Sequence, residues 1–163
     1  MDDFKISENI FLNHQVDKVW NIVSSKGALE LFHPFCLKNK AITWDDSKKS
    51  DELVYLNGLT YIREFISWNP NKGYELIIGK KNGKKSKVHW EIQPSDLGCF
   101  LTITVWPYKT SKVPKILYPL VNSFVVKPKL KNYLHSVLVG LKFYLDNNIK
   151  VKNNQFGTHA WFS

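Results

Sequence analysis

Cysteine, arginine and methionine are nearly missing from this chain of 163 residues. Its two cysteines, Cys36 and Cys99, give neither a disulfide framework nor metal-ligand spacing. His14 and His159 have no Cys, Asp or Glu partners at metal-ligand spacing, so no metal is expected. Only one of 23 basic side chains is arginine, Arg63. Arginine dominates base-edge and forked phosphate recognition, and its scarcity argues against nucleic acid as a partner. No apolar run approaches the roughly 20 residues that span a bilayer, and the polar start, MDDFKISEN, has no apolar signal core. The expectation is a cytoplasmic protein with reduced thiols. Ser-x-x-Lys, Gly-x-Ser-x-Gly, a glycine-rich phosphate loop and paired carboxylates are also missing. That disfavours nucleophilic, nucleotide-dependent and metal-dependent enzymes, and no cofactor is expected.

Acidic residues are scarce in one region only. Residues 1–107 hold 14 basic and 13 acidic side chains, whereas residues 108–163 hold nine basic and one acidic. A basic final third is a solvated surface or, more specifically, a contact for an anionic membrane or an acidic partner. What the chain has in quantity is hydrophobic residues at 44% and aromatic residues at 14%, which exclude disorder. The length fits one domain over residues 1–163.

Phe4 to Asn13 alternates as a strand, and Val16 to Val23 then switches to helical spacing with Val16, Val19, Trp20 and Val23 on one face. Ala28 to Phe32 is a second short helix, closed by His33-Pro34 because a residue before proline disfavours the α region. Six strands follow: Lys38–Trp44, Asp51–Leu56, Leu59–Trp68, Tyr74–Gly79, Ser86–Gln93 and Cys99–Trp106. Asn57-Gly58 and Asn82-Gly83 mark hairpin turns, and the short connections make neighbouring strands antiparallel. Val88, Trp90 and Ile92 share a face, as do Leu101, Ile103 and Val105, so one side of the sheet is apolar. Residues 108–127 recur at helical spacing after Pro114, with Pro119 expected to interrupt them. They read as a connector packed on the core or as a lid. Pro128 to Asn148 is one long helix with Leu130, Tyr133, Leu134, Val137, Leu138, Leu141, Tyr144 and Leu145 in one arc. Phe156, Trp161 and Phe162 mark residues 149–163 as a tail that docks on the body.

Strand, two short helices, six antiparallel strands and a long final helix make an α+β helix-grip pattern, a seven-stranded curved sheet around one helix. Val16-x-x-Val19-Trp20, Phe32-His33-Pro34-Phe35, Arg63-Glu64 with Trp68-x-Pro70, Trp90-Glu91-Ile92 with Gly98, and Gly140-Leu141-Lys142-x-Tyr144-Leu145 carry the likeness. Over residues 3–148 the chain resembles the START and birch-pollen-allergen-like superfamily, SRPBCC, in its polyketide-cyclase-like branch. The resemblance implies a cavity between helix and sheet for a lipid, sterol, polyketide or other small hydrophobic molecule. Geometry agrees, because a curved sheet and one crossing helix cannot close-pack everywhere.

The cavity candidates are Tyr61, Arg63, Phe65, Trp90, Ile103, Val137, Leu138, Leu141 and Tyr144. Arg63 and Glu64 point to opposite faces. Inward, Arg63 would meet a ligand carboxylate or phosphate, with Tyr61 as its companion; outward, it would pair across strands on the wet face. His33 is either a proton carrier at the cavity mouth or a residue packed at a helix end. His89 and His135 are expected to face solvent. A cyclase or dehydratase using Arg63, Tyr61 and His33 is the enzymatic alternative to simple ligand binding, and whether any catalysis occurs stays open.

Overall fold

A computed structural model describes residues 4–109 and 112–163. Seven antiparallel strands form one sheet in the order β1-β7-β6-β5-β4-β3-β2. They are β1 (Ile6–Leu12), β2 (Cys36–Trp44), β3 (Lys49–Tyr55), β4 (Thr60–Asn69), β5 (Gly73–Gly79), β6 (Lys85–Ser95) and β7 (Gly98–Trp106). Strands β2 to β7 are joined as consecutive hairpins, and β1 closes against β7 with Ile6 opposite Val105 and Leu12 opposite Cys99. Register shifts at Cys36/Lys38, Ala41/Thr43 and Phe65/Ser67 bend the β2–β4 end. The Asn57-Gly58 turn is tight: Tyr55 N–H donates to Leu59 O at 2.8 Å, and Gly58 takes φ 86°.

Two short helices, α1 (Val16–Val23) and α2 (Leu29–Phe32), lie between β1 and β2. Helix α1 buries Val19, Trp20 and Val23, three of the four residues on the expected face. After β7 a 3₁₀ turn (Lys115–Leu117), helix α3 (Tyr118–Val121) and a π turn (Asn122–Val126) run directly into α4 (Lys127–Asn147). Pro119 does not interrupt this arm, because it falls in the first turn of α3, where no N–H is needed. Pro128 is accommodated differently. It can give no hydrogen bond to the preceding turn, and the wider π turn sits immediately before it. Thr110 and Ser111, at the start of the expected connector, lie outside the described residues.

Helix α4 buries Leu134, Val137, Leu138, Leu141 and Leu145, with Ser136 and Gly140 on the side that meets α2. A Cβ on Gly140 would stand 2.1 Å from the Phe32 carbonyl oxygen, so this close approach requires glycine. The helix ends at Asn148 in the left-handed region (φ 52°). Residues 149–163 then return along the body: Val151 N–H donates to Leu31 O at 3.0 Å and Asn154 N–H to Pro34 O at 2.9 Å. No helix among the described residues is long and apolar enough to cross a membrane.

Candidate functional site

Between the concave face of the sheet and α4 lies a cavity of about 650 Å³. Its sheet wall comes from β3 to β7, including Leu53, Tyr61, Arg63, Trp90 and Ile103. Leu130, Tyr133, Leu134 and Val137 line it from α4, and Ala160, Trp161 and Phe162 from the tail. Its outer end is bounded by Pro107, Tyr108 and Val126, which also border a smaller cavity of about 250 Å³ beneath the arm.

Of the nine cavity candidates, Tyr61, Arg63, Trp90, Ile103 and Val137 stand on this wall. Phe65, Leu138, Leu141 and Tyr144 do not. Phe65 sits in a cluster with Trp44, Trp68 and Tyr74, at centroid distances of 5.1 to 5.5 Å, and Trp20 of α1 joins it through Trp68. The bulge after Phe65 turns the strand toward this aromatic end. Leu138 and Leu141 are 1% and 0% exposed in solid core. Tyr144 is half-buried, one turn closer to the helix end.

Arg63 combines features of its two expected positions. It points inward and is paired across strands on that inner face, with Nε donating to Asp51 Oδ1 at 2.7 Å and Nη2 to Oδ2 at 2.5 Å. Arg63 is 6% exposed and Asp51 0%. Burial works against the guanidinium charge, but the adjacent carboxylate outweighs it and holds Arg63 above its ordinary range. The fork offered by the sequence to a ligand anion is therefore already engaged.

His33 closes α2, buried against Tyr133 of α4 and Tyr55 of β3. Its Nδ1 accepts from Phe35 N–H at 3.2 Å, and its Nε2 lies 2.8 Å from Tyr133 Oη. Tyr133 Oη is 3.1 Å from Tyr55 Oη, and Phe162 stacks on Tyr55 with centroids 4.4 Å apart. Burial, aided by the positive charge of Arg63, lowers the His33 pKa to about 3. Burial also raises the Tyr55 and Tyr133 hydroxyls and pushes the Cys36 thiol up to about 12. At neutral pH the imidazole is uncharged and the hydroxyls and thiol keep their protons.

His135 is exposed and His89 half-buried. His14 bonds Asp146 at 2.8 Å, and His159, buried in the tail, bonds the Lys129 carbonyl at 2.9 Å. Sequence reading missed Asp51 as the partner of Arg63, the His33–Tyr133–Tyr55 chain, and the tail's place in the cavity wall. The register of the Asn57-Gly58 hairpin contained the first of these. Nothing local in the sequence announced the other two.

No family model and no curated protein sequence matches the chain. Similar folds occur among solved structures. A protein of unknown function from Staphylococcus aureus, SA2116, superposes with a TM-score of 0.72 at 9% identity, covering 89% of this chain and 94% of its own. A START superfamily protein from Mycobacterium smegmatis gives 0.66 at 13% identity, covering 88% and 98%. The di-domain ARO/CYC protein StfQ of the steffimycin biosynthetic pathway gives 0.66 at 11%, covering 88% of this chain and 51% of that one. The chain carries the START-like helix-grip fold.

Proposed function

We propose that the protein binds a small hydrophobic molecule, of lipid or polyketide-like size, in the cavity between the sheet and α4. The carrying observation is a space of about 650 Å³ between sheet and helix, walled mainly by apolar side chains. Tyr61, Arg63, Trp90, Ile103 and Val137 are the residues we assign to ligand contact. The START and ARO/CYC names of proteins with this fold favour the same reading. The polar groups support binding over acid–base catalysis, because His33 is held neutral and Arg63 is neutralised by Asp51. Titration with 1-aminoanthracene should give saturable fluorescence enhancement, and Val137→Trp, which projects a large ring into the space, should weaken it. Absence of saturable uptake by the unsubstituted protein sinks the reading.

A second reading, contact with an anionic membrane surface, rests on the arm before α4. Ile116 is 85% and Phe124 76% exposed, with Leu117, Leu120 and Val125 also exposed. No acidic residue occurs between Asp96 and Asp146, a stretch that holds Lys112, Lys115, Lys127 and Lys129. Apolar side chains among lysines at the end of a lipid-sized cavity suit a surface of anionic headgroups. Sedimentation with phosphatidylglycerol vesicles should exceed that with phosphatidylcholine and fall at high salt. Phe124→Asp should reduce it. Equal binding to both vesicle types, or none, counts against this contact.

A further inference from the structure

The buried chain at the tail side of the cavity constrains the chemistry of what can bind there. His33 Nδ1 accepts from Phe35 N–H, so its lone pair is used and the imidazole proton resides on Nε2. Nε2–H then donates to Tyr133 Oη, 2.8 Å away. The remaining contact in the trio, Tyr133 Oη to Tyr55 Oη at 3.1 Å, can use only one hydroxyl hydrogen. Three hydrogens thus serve two contacts. Whichever way the tyrosine pair is oriented, one O–H is left over.

Tyr55 ends the chain. It is 1% exposed, lines the cavity, and has Tyr133 as its one hydrogen-bond partner among the described residues, whereas Tyr133 has two. Phe162, stacked on the Tyr55 ring and tilted against that of Tyr133, packs both in place. A buried donor without an acceptor costs free energy, so the site favours an occupant that supplies one. The local charge says which kind. The Arg63–Asp51 pair carries no net charge, and His33 is neutral. The one other cation on the wall, Lys80, is exposed to solvent, so a carboxylate beside Tyr55 would be a buried anion facing no unpaired buried cation.

We infer that the cavity recognises a hydrophobic molecule by one neutral acceptor oxygen, a ketone or similar carbonyl, which takes a hydrogen bond from the Tyr55 end of the His33–Tyr133–Tyr55 chain. This rests on the cavity-binding reading above and adds a chemical class to it. His33 acts as a positioning residue: its tautomer sets how many hydrogens the tyrosines can offer, and although its ring borders the cavity, both its nitrogens are engaged by Phe35 N–H and Tyr133 Oη.

The test uses fluorenone and fluorene, which differ by one carbonyl, titrated by quenching of the tryptophan fluorescence to which Trp90 and Trp161 contribute. The ratio of their dissociation constants in the unsubstituted protein is divided by the same ratio in Tyr55→Phe, which cancels their difference in hydration. One net hydrogen bond corresponds to roughly a two- to tenfold preference for the ketone that the variant loses. The infrared carbonyl band of fluorenone bound to the unsubstituted protein should also lie below its position in hexane, a readout independent of any variant's folding. An unshifted band, or a ratio unchanged in both Tyr55→Phe and Tyr55→Phe/Tyr133→Phe, overturns the inference while leaving cavity binding intact. Fluorene-9-carboxylate binding more tightly than fluorenone overturns the neutral-acceptor assignment. If neither fluorene nor fluorenone binds, the cavity reading falls and this inference with it.

Discussion

The two ends of the groove between α4 and the sheet solve the same geometric problem in opposite ways. Toward the C-terminal end of α4, under α1, the sheet's curvature is filled by large rings. Trp20, Phe65, Trp68 and Tyr74 form a continuous cluster of edge-on and stacked rings that reaches the cavity wall at Trp90, while Leu138, Leu141 and Leu145 seal the helix side. Toward the N-terminal end the helix carries Leu130, Tyr133 and Val137 on a cavity wall, and the polar groups of the interior gather there: Asp51, Arg63, His33, Tyr55 and Tyr133. The filled end supplies stability through packing. The hollow end forgoes part of that packing and holds its shape through hydrogen bonds and one buried ion pair.

The largest effect should come from breaking that ion pair. Asp51→Asn leaves a guanidinium buried without its counter-charge, and removing one partner of such a pair costs about 3–5 kcal/mol. Urea denaturation should show this loss, and Asp51→Leu/Arg63→Met should recover much of it. A loss below about 1 kcal/mol in Asp51→Asn would mean that the hollow end does not depend on this pair. At the filled end, Leu141→Ala should cost about 2–5 kcal/mol, because the side chain is fully enclosed and its removal leaves a void in the core.

How much of this contrast could be read from the amino-acid sequence differs between the ends. The strands, the two short helices and α4 follow from period-2 and period-3.6 patterns, which are local. Leu138 and Leu141 fall on the same helical stripe as Val137, so periodicity assigns all three to one face. Which of them meets solid core depends on where the sheet bends, and that is set by bulges such as the one between Phe65 and Ser67. The Arg63 partner was within reach. Counting outward from the Asn57-Gly58 turn with Tyr55 opposite Leu59 brings Asp51 opposite Arg63, as the ladder has it. His33, Tyr133 and Phe162 are separated by about a hundred residues or more from the first to the others. No pattern in one sequence joins them.

Acid should strain the hollow end first. In the unfolded chain His33 takes up a proton below its ordinary value of 6.5, while in the folded protein it stays neutral down to about 3. The unfolded state therefore binds more protons across that window, and stability falls as pH falls through it, by at most about 1.4 kcal/mol per pH unit. His159, lowered by burial in the tail, acts in the same direction. Asp45 and Asp146 are lowered carboxylates that add their loss only at more acid pH. Urea midpoints between pH 6.5 and 4.5 should drop in the unsubstituted protein and drop markedly less in His33→Gln. Parallel curves would assign the acid sensitivity elsewhere.

The smallest expected change tests the contrast most directly. Leu130 and Leu141 are the same residue type on the same helix, three turns apart, yet one borders the cavity and the other is enclosed. Truncating an enclosed leucine creates a new void, whereas truncating Leu130 only enlarges a space already present and removes a side chain that is partly exposed. Leu130→Ala should therefore lower stability by less than about 1 kcal/mol, within the range of surface changes, while altering uptake of 1-aminoanthracene by the enlarged cavity. If Leu130→Ala instead costs as much as Leu141→Ala, the two halves of α4 are packed alike, and the N-terminal half closes on the sheet in solution.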